Sequence, residues 1–137
     1  MTSNVLSQWS ALHRKLAGLS EAFHEPGGWL PPTDVIESAR GLVVRMELAG
    51  VVRSDLRIRV EGRALIVEGL REAPCCTGRR FRQLEMEHGA FRRIVPLPFA
   101  VTGAKAKAEL ADGLLQISLP RTKRPTGEKM VMLVMTT

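Results

Sequence analysis

Between residues 33 and 120 the chain alternates apolar and polar positions with a period of two. Residues 33–37 make a short first run. In 41–48, Leu42, Val44, Met46 and Leu48 share one face, and Val43, Arg45 and Glu47 take the other. Leu56, Ile58 and Val60 continue the pattern, and Leu65 and Val67 extend it after Glu61-Gly62-Arg63. Phe91, Arg93, Val95 and Leu97 alternate with Arg92, Ile94 and Pro96. Ala104, Ala106, Ala108 and Leu110 alternate with Lys105, Lys107 and Glu109. Leu115, Ile117 and Leu119 then alternate with Leu114, Gln116 and Ser118. A period of two turns one face of each strand to a core and the other to water. Asp112-Gly113 between two such runs is a strong hairpin signal, because Gly takes positive φ at no steric cost. Pro120 closes the last run, since it has no N–H for a ladder. The pattern predicts an all-β fold, an antiparallel β-sandwich of about seven or eight strands.

The flanks read differently. Trp9, Leu12, Leu16, Leu19 and Phe23 recur at three- and four-residue spacing and predict a helical arm with one apolar stripe. A helix this short, interrupted by Gly18, is marginal in water and needs a partner surface. That surface is another subunit, an unfolded protein or the arm's own domain. Residues 25–32 form a Pro/Gly linker, with Trp29 and Leu30 as an apolar plug between breakers. Residues 121–129 read as a basic, flexible tether, and Met130 to Met135 as an apolar hexamer that is an aggregation hazard on its own. The predicted organisation is an arm and linker over 1–32, a sandwich over 33–120 and a C-terminal extension over 121–137.

At 137 residues the chain can bury one real core, built mainly from aliphatic side chains because Tyr is absent and aromatics are scarce. No apolar run approaches the roughly 18–20 residues of a membrane helix, and no basic-then-apolar leader opens the chain. A cytoplasmic location is expected. Cys75 and Cys76 are adjacent, and a bridge between them would close a strained ring. They read as loop thiols or, more sharply, as an intermolecular disulfide or redox sensor. The net charge of +6 raises nucleic acid as a partner. The basic residues, however, alternate with apolar ones, as in Leu56-Arg57-Ile58-Arg59-Val60, and no aromatic platform for bases accompanies them.

Candidate chemistry is sparse. His13, His24 and His88 are scattered, Gly27-Gly28 sits in a proline-rich linker, and no nucleophile elbow occurs. No catalytic, cofactor-binding or metal-binding residue is expected, and the chain does not read as an enzyme.

Four motifs occur in one order. Glu47-Leu48-Ala49-Gly50-Val51 leads to Asp55-Leu56, with Ala49 where a Pro is usual. Ala64-Leu65-Ile66-Val67-Glu68-Gly69 follows. Then come Gly89-x-Phe91-x-Arg93 into Leu97-Pro98, and Ala108-x-x-x-x-Gly113-Leu114-Leu115. Together they resemble the small heat-shock proteins, the α-crystallin-type chaperones, over roughly residues 33–120. The resemblance implies an immunoglobulin-like sandwich, the α-crystallin domain, acting as an ATP-independent holdase without cofactors. It implies dimers formed through the loop 70–84, which carries a small strand near its end, with Phe81 and Leu84 as anchors and Arg93 on a long strand at the interface. It implies a tail pair, Val131-x-Leu133, inserting into a groove on the next dimer lined by Leu56, Ile58, Val60, Ala106, Ala108, Leu115 and Ile117. Met130-x-Met132 and Leu133-x-Met135 are alternative registers, and a tail capping its own domain is the alternative arrangement. The arm is implied to serve clients and oligomer contacts. The implied partners are partly unfolded proteins and further copies of the chain, with neither nucleic acid nor membrane. Two other readings stand beside it. One is a monomeric co-chaperone adaptor of the CS type, which the apolar tail and the 70–84 loop argue against. The other is a basic nucleic-acid-binding β protein.

Overall fold

A computed structural model describes residues 29–75, 77–101, 105–122, 130–132 and 134–136. The arm positions Trp9, Leu12, Leu16, Leu19 and Phe23, together with Leu133, lie outside the described residues.

Among the described residues nine strands form, in the order β1 (Thr33–Ser38), β2 (Gly41–Glu47), β3 (Leu56–Glu61), β4 (Ala64–Arg71), β5 (Gly89–Pro96), β6 (Lys107–Ala111), β7 (Leu114–Pro120), β8 (Met130–Met132) and β9 (Val134–Thr136). A 3-10 turn at Arg53–Asp55 precedes β3. One sheet runs β1-β2-β7-β6-β9 and the other β5-β4-β3-β8. All pairings are antiparallel except β6 with β9. This is the all-β sandwich the alternation predicts.

The buried face is the one read from the sequence. Leu42, Val44 and Met46 of β2 lie against Leu115, Ile117 and Leu119 of β7, and Ile58 and Val60 of β3 pair with Val67 and Leu65 of β4. All ten are buried and join one core cluster. Burying an aliphatic side chain contributes about 1.5–3 kcal/mol, so this interior holds the two sheets together. The β6–β7 hairpin closes through Asp112 (φ 53°) and Gly113 (φ 77°), both left-handed as a two-residue turn of this kind requires.

Two differences matter. The strand expected from residue 104 starts at Lys107, and Ala106 lies just outside it, half-buried against the core. The linker plug is also part of the interior. Trp29 is 3% exposed, and its ring meets Phe91 edge-to-face at 5.4 Å. Packing of the domain therefore begins four residues before its first strand.

Candidate functional site

Two regions of the sandwich present edges or apolar surface that can take another chain.

The first region joins β3 and β6. Ile58 and Val60 approach from one sheet, and Ala108, Leu115 and Ile117 from the other. Leu56 and Ala106 flank them, half-buried. All seven positions named from the sequence thus belong to or pack against the one core cluster. β8 adds to β3 antiparallel and β9 adds to β6 in parallel, so one short segment extends both sheets. This is strand addition, in which main-chain hydrogen bonds supply affinity and alternate positions supply selectivity. Along β8, Met130 stands opposite Val60, Val131 opposite Arg59, and Met132 opposite Ile58. On β9, Val134 stands opposite Ala108. The register thus aligns Met130 and Met132, rather than Val131, with core-facing positions of β3. The segment seated here is the chain's own tail.

The second region comprises β1, β5 and the loop between β4 and β5. β1 is outermost in its sheet, with Val35 and Ile36 exposed, and β5 is outermost in the other. An unpaired strand edge of this kind is a template for another chain. Among the described residues of 72–88 there is no strand. The small strand implied by the resemblance is therefore not formed among them. Phe81, Leu84 and Met86 in this loop are 45%, 60% and 65% exposed.

Arg93 lies on β5 between Phe91 and Val95, on the face those two residues bury. Its cross-strand partner is the fully buried Val67. Burial lowers its pKa, because removing water disfavours the charged form. Among the described residues no hydrogen bond or ion pair reaches it. The structure does not bring Arg93 together with Phe81 and Leu84 in any contact within this chain.

The outer face of β3-β4-β5 carries charge instead. Arg59 contacts Glu68 at 2.6 Å and Glu61 at 3.2 Å, and Arg92 lies 3.8 Å from Glu68. These side chains are partly solvated, so each pair contributes about 0–1 kcal/mol. Such a face matches the solvated reading of the alternating arginines. Cys75 is exposed, and its Sγ lies 3.4 Å from Thr77 Oγ1. The Thr77 side chain, and after it the Thr77 backbone, lowers the Cys75 pKa.

Sequence reasoning missed Trp29 and Arg71 as site-forming residues. The indole Nε1 donates to the Gly89 carbonyl at 3.1 Å, and the Arg71 guanidinium sits 3.9 Å from the centre of the Trp29 ring. A tryptophan placed between prolines was the available signal for the first. Arg71 has none, because its acceptors are backbone carbonyls. Among the described residues no group of three or more His, Cys, Asp or Glu side chains could hold a metal ion, and no helix is long and apolar enough to cross a membrane.

The model of the Hsp20/alpha crystallin family matches residues 34–133. The chain belongs to this family. The Hsp20/alpha crystallin match takes in every strand from β2 to β8 and the groove between β3 and β6. The chain is similar to spore protein SP21 of Stigmatella aurantiaca, at 32% identity over 73% of this chain and 59% of that one. It is also similar to small heat shock protein C2 of Rickettsia felis, at 25% over 73% and 66%. The chain thus spans about two thirds or less of the length of these curated relatives. Among solved structures, heat shock protein 16.0 from Schizosaccharomyces pombe superposes with a TM-score of 0.65 at 23% identity, covering 73% of this chain and 94% of that one. HspA from Xanthomonas axonopodis gives 0.62 at 25%, covering 68% and 94%. The sandwich is therefore an α-crystallin domain.

Proposed function

We propose that this chain is an ATP-independent holdase: it binds partly unfolded proteins and keeps them from aggregating, working as an oligomer of dimers. The observation that carries this reading is the β3–β6 groove, which accepts a short extended segment on both of its edges at once. An unfolding protein exposes segments of that kind. Holding them needs no chemical step, because binding the unfolded state is enough to lower its free concentration.

Dimers form through the 70–84 loop, the open strand edges and the Arg93 strand. In the assembly the guanidinium of Arg93, which has no partner among the described residues, meets a carboxylate of the second chain, since a charge left buried alone is costly. The loop's Phe81 and Leu84 supply apolar contact with the neighbour. Dimers join through the tail. A tail reaching a neighbour meets the same two edges that it meets in its own chain, so exchange between the two arrangements is a domain swap with little change in contacts. A few buried side chains at about 1.5–3 kcal/mol each, less the ordering cost, make a contact that opens readily. Opening frees the groove, and release of the arm frees the stripe from Trp9 to Phe23, for a client. The α-crystallin domain and the family membership support this reading.

The test is a client that aggregates on warming, followed by light scattering without ATP. The chain is expected to suppress scattering at near-stoichiometric amounts, and replacing Trp9, Leu12 and Leu16 with Ser is expected to weaken that suppression. Native mass measured cold and warm completes it. The seating of the tail on its own domain favours a second reading, a self-closed monomeric adaptor. A single chain at every concentration and temperature, together with undiminished client aggregation, would decide for that reading.

A further inference from the structure

Arg71 ends β4, where the chain leaves the sheet for the 72–88 loop. Its guanidinium meets three separate segments. Nη1 donates to the Ala49 carbonyl at 3.0 Å, in the turn after β2. Nε donates to the Glu87 carbonyl at 2.9 Å, and Nη2 donates to the same oxygen, at the returning end of the loop. The cation also lies on the ring of Trp29, where the N-terminal segment joins the domain. Trp29 in turn holds β5, through its indole N–H to Gly89 and its backbone N–H to the Ala90 carbonyl at 3.2 Å.

Between these anchors the loop makes few ties of its own. Its described residues from 72 to 87 are exposed, and the contacts of Cys75 with Thr77 and of Gln83 with Glu85 are local. Its return to the body rests on the Arg71–Trp29 pair. A planar guanidinium can donate in its plane while stacking on an aromatic face, so one side chain satisfies both demands.

We propose that Arg71 and Trp29 form a latch coupling the N-terminal segment to the loop between β4 and β5. Lifting Trp29 out of its seat removes the surface beneath the guanidinium and loosens its hold on Glu87. Ordering of the loop on a second chain does the reverse and seats Trp29. Such coupling is reciprocal by necessity. Engagement of residues 1–28 by a client or a neighbour is thereby felt at the loop, which rests on the reading of 70–84 as the dimer-forming element.

The test uses the full chain carrying Trp9→Phe, so that Trp29 is its one tryptophan. Trypsin cleavage at Arg79 and Arg80 under native conditions reads release of the loop, and Trp29 emission reads its seating. Arg71→Ala is expected to raise the cleavage rate about tenfold, the usual scale of a coupling between sites, and to shift the emission to the red. Trp29→Leu is expected to raise cleavage similarly. The double variant should go no further than either single one, because both break the same latch. Arg71→Lys keeps a cation over the ring without the fork, and should free the loop while leaving the emission near its starting value. Cleavage within about twofold of the parent in Arg71→Ala, or single effects that multiply in full, would overturn the latch. Arg71 is only half-buried, so its variants keep the test open should Trp29→Leu fail to fold. Native mass on the same samples separates the two ideas: a freed loop with an intact dimer removes the loop from the interface and leaves the latch standing.

Discussion

Phe91 lies across Gly69 on the neighbouring strand, its ring carbons 2.6 and 2.7 Å from where a β-carbon of residue 69 would stand. The Asp55 carbonyl is 2.8 Å from the same point. A methyl group there must displace both a core ring and a backbone oxygen. Gly69→Ala is therefore expected to destabilise the domain by about 1–3 kcal/mol, lowering the melting temperature by roughly 5 °C or more. Adding Phe91→Leu should recover part of the loss, because the smaller side chain yields space. Equal melting temperatures of Gly69→Ala and the parent in scanning calorimetry would show that the packing is looser than these distances state.

The register of the tail separates its two neighbouring positions. Met132 is paired with the fully buried Ile58, whereas Val131 is paired with the half-buried Arg59. Residues paired across an antiparallel ladder share a sheet face. Met132→Asp is expected to unseat the tail and speed amide exchange along β3, with Val131→Asp doing so far less. Deleting residues 130–137 should also shift the assembly towards dimers in gel filtration. An unchanged elution volume would count against the tail as a link between dimers.

Arg93 gives a contrast between domain and dimer. Its charged form is already disfavoured by burial, so Arg93→Met should leave the melting temperature of the isolated domain level or slightly raised. The dimer should weaken, with its dissociation constant rising about tenfold or more, as for loss of a desolvated charge pair. Equilibrium sedimentation measures this, and an unweakened dimer would remove Arg93 from the interface.

Cys75 should react as an activated thiol. The Thr77 hydroxyl stabilises the thiolate, so Thr77→Val is expected to raise the pKa and move the midpoint of alkylation by iodoacetamide to higher pH. A Cys76→Ser background isolates the signal. An unmoved midpoint would assign no role to the hydroxyl.

The strands were legible because alternation is a local property: Val44 and Ile117 announce a buried face before any partner is known. Asp112-Gly113 was legible for the same reason, since positive φ is a demand on the residue itself. The groove positions were named through family motifs, and the fold gathers them from both sheets. What escaped was set by partners distant along the chain. Trp29 looked like a plug in a linker, because its acceptor on Gly89 lies 60 residues away.

The sequence by itself therefore determined the β class, the core-facing positions and the hairpin between β6 and β7, all of which follow from spacing and backbone preference. Only the tertiary structure decided that Trp29 belongs to the core, that Arg71 binds two segments through carbonyls any residue could offer and a third through the Trp29 ring, and that Met130 and Met132 align with Val60 and Ile58. The physical reason is that these relations join positions distant along the chain, and their contacts exist only after the two sheets have closed on each other.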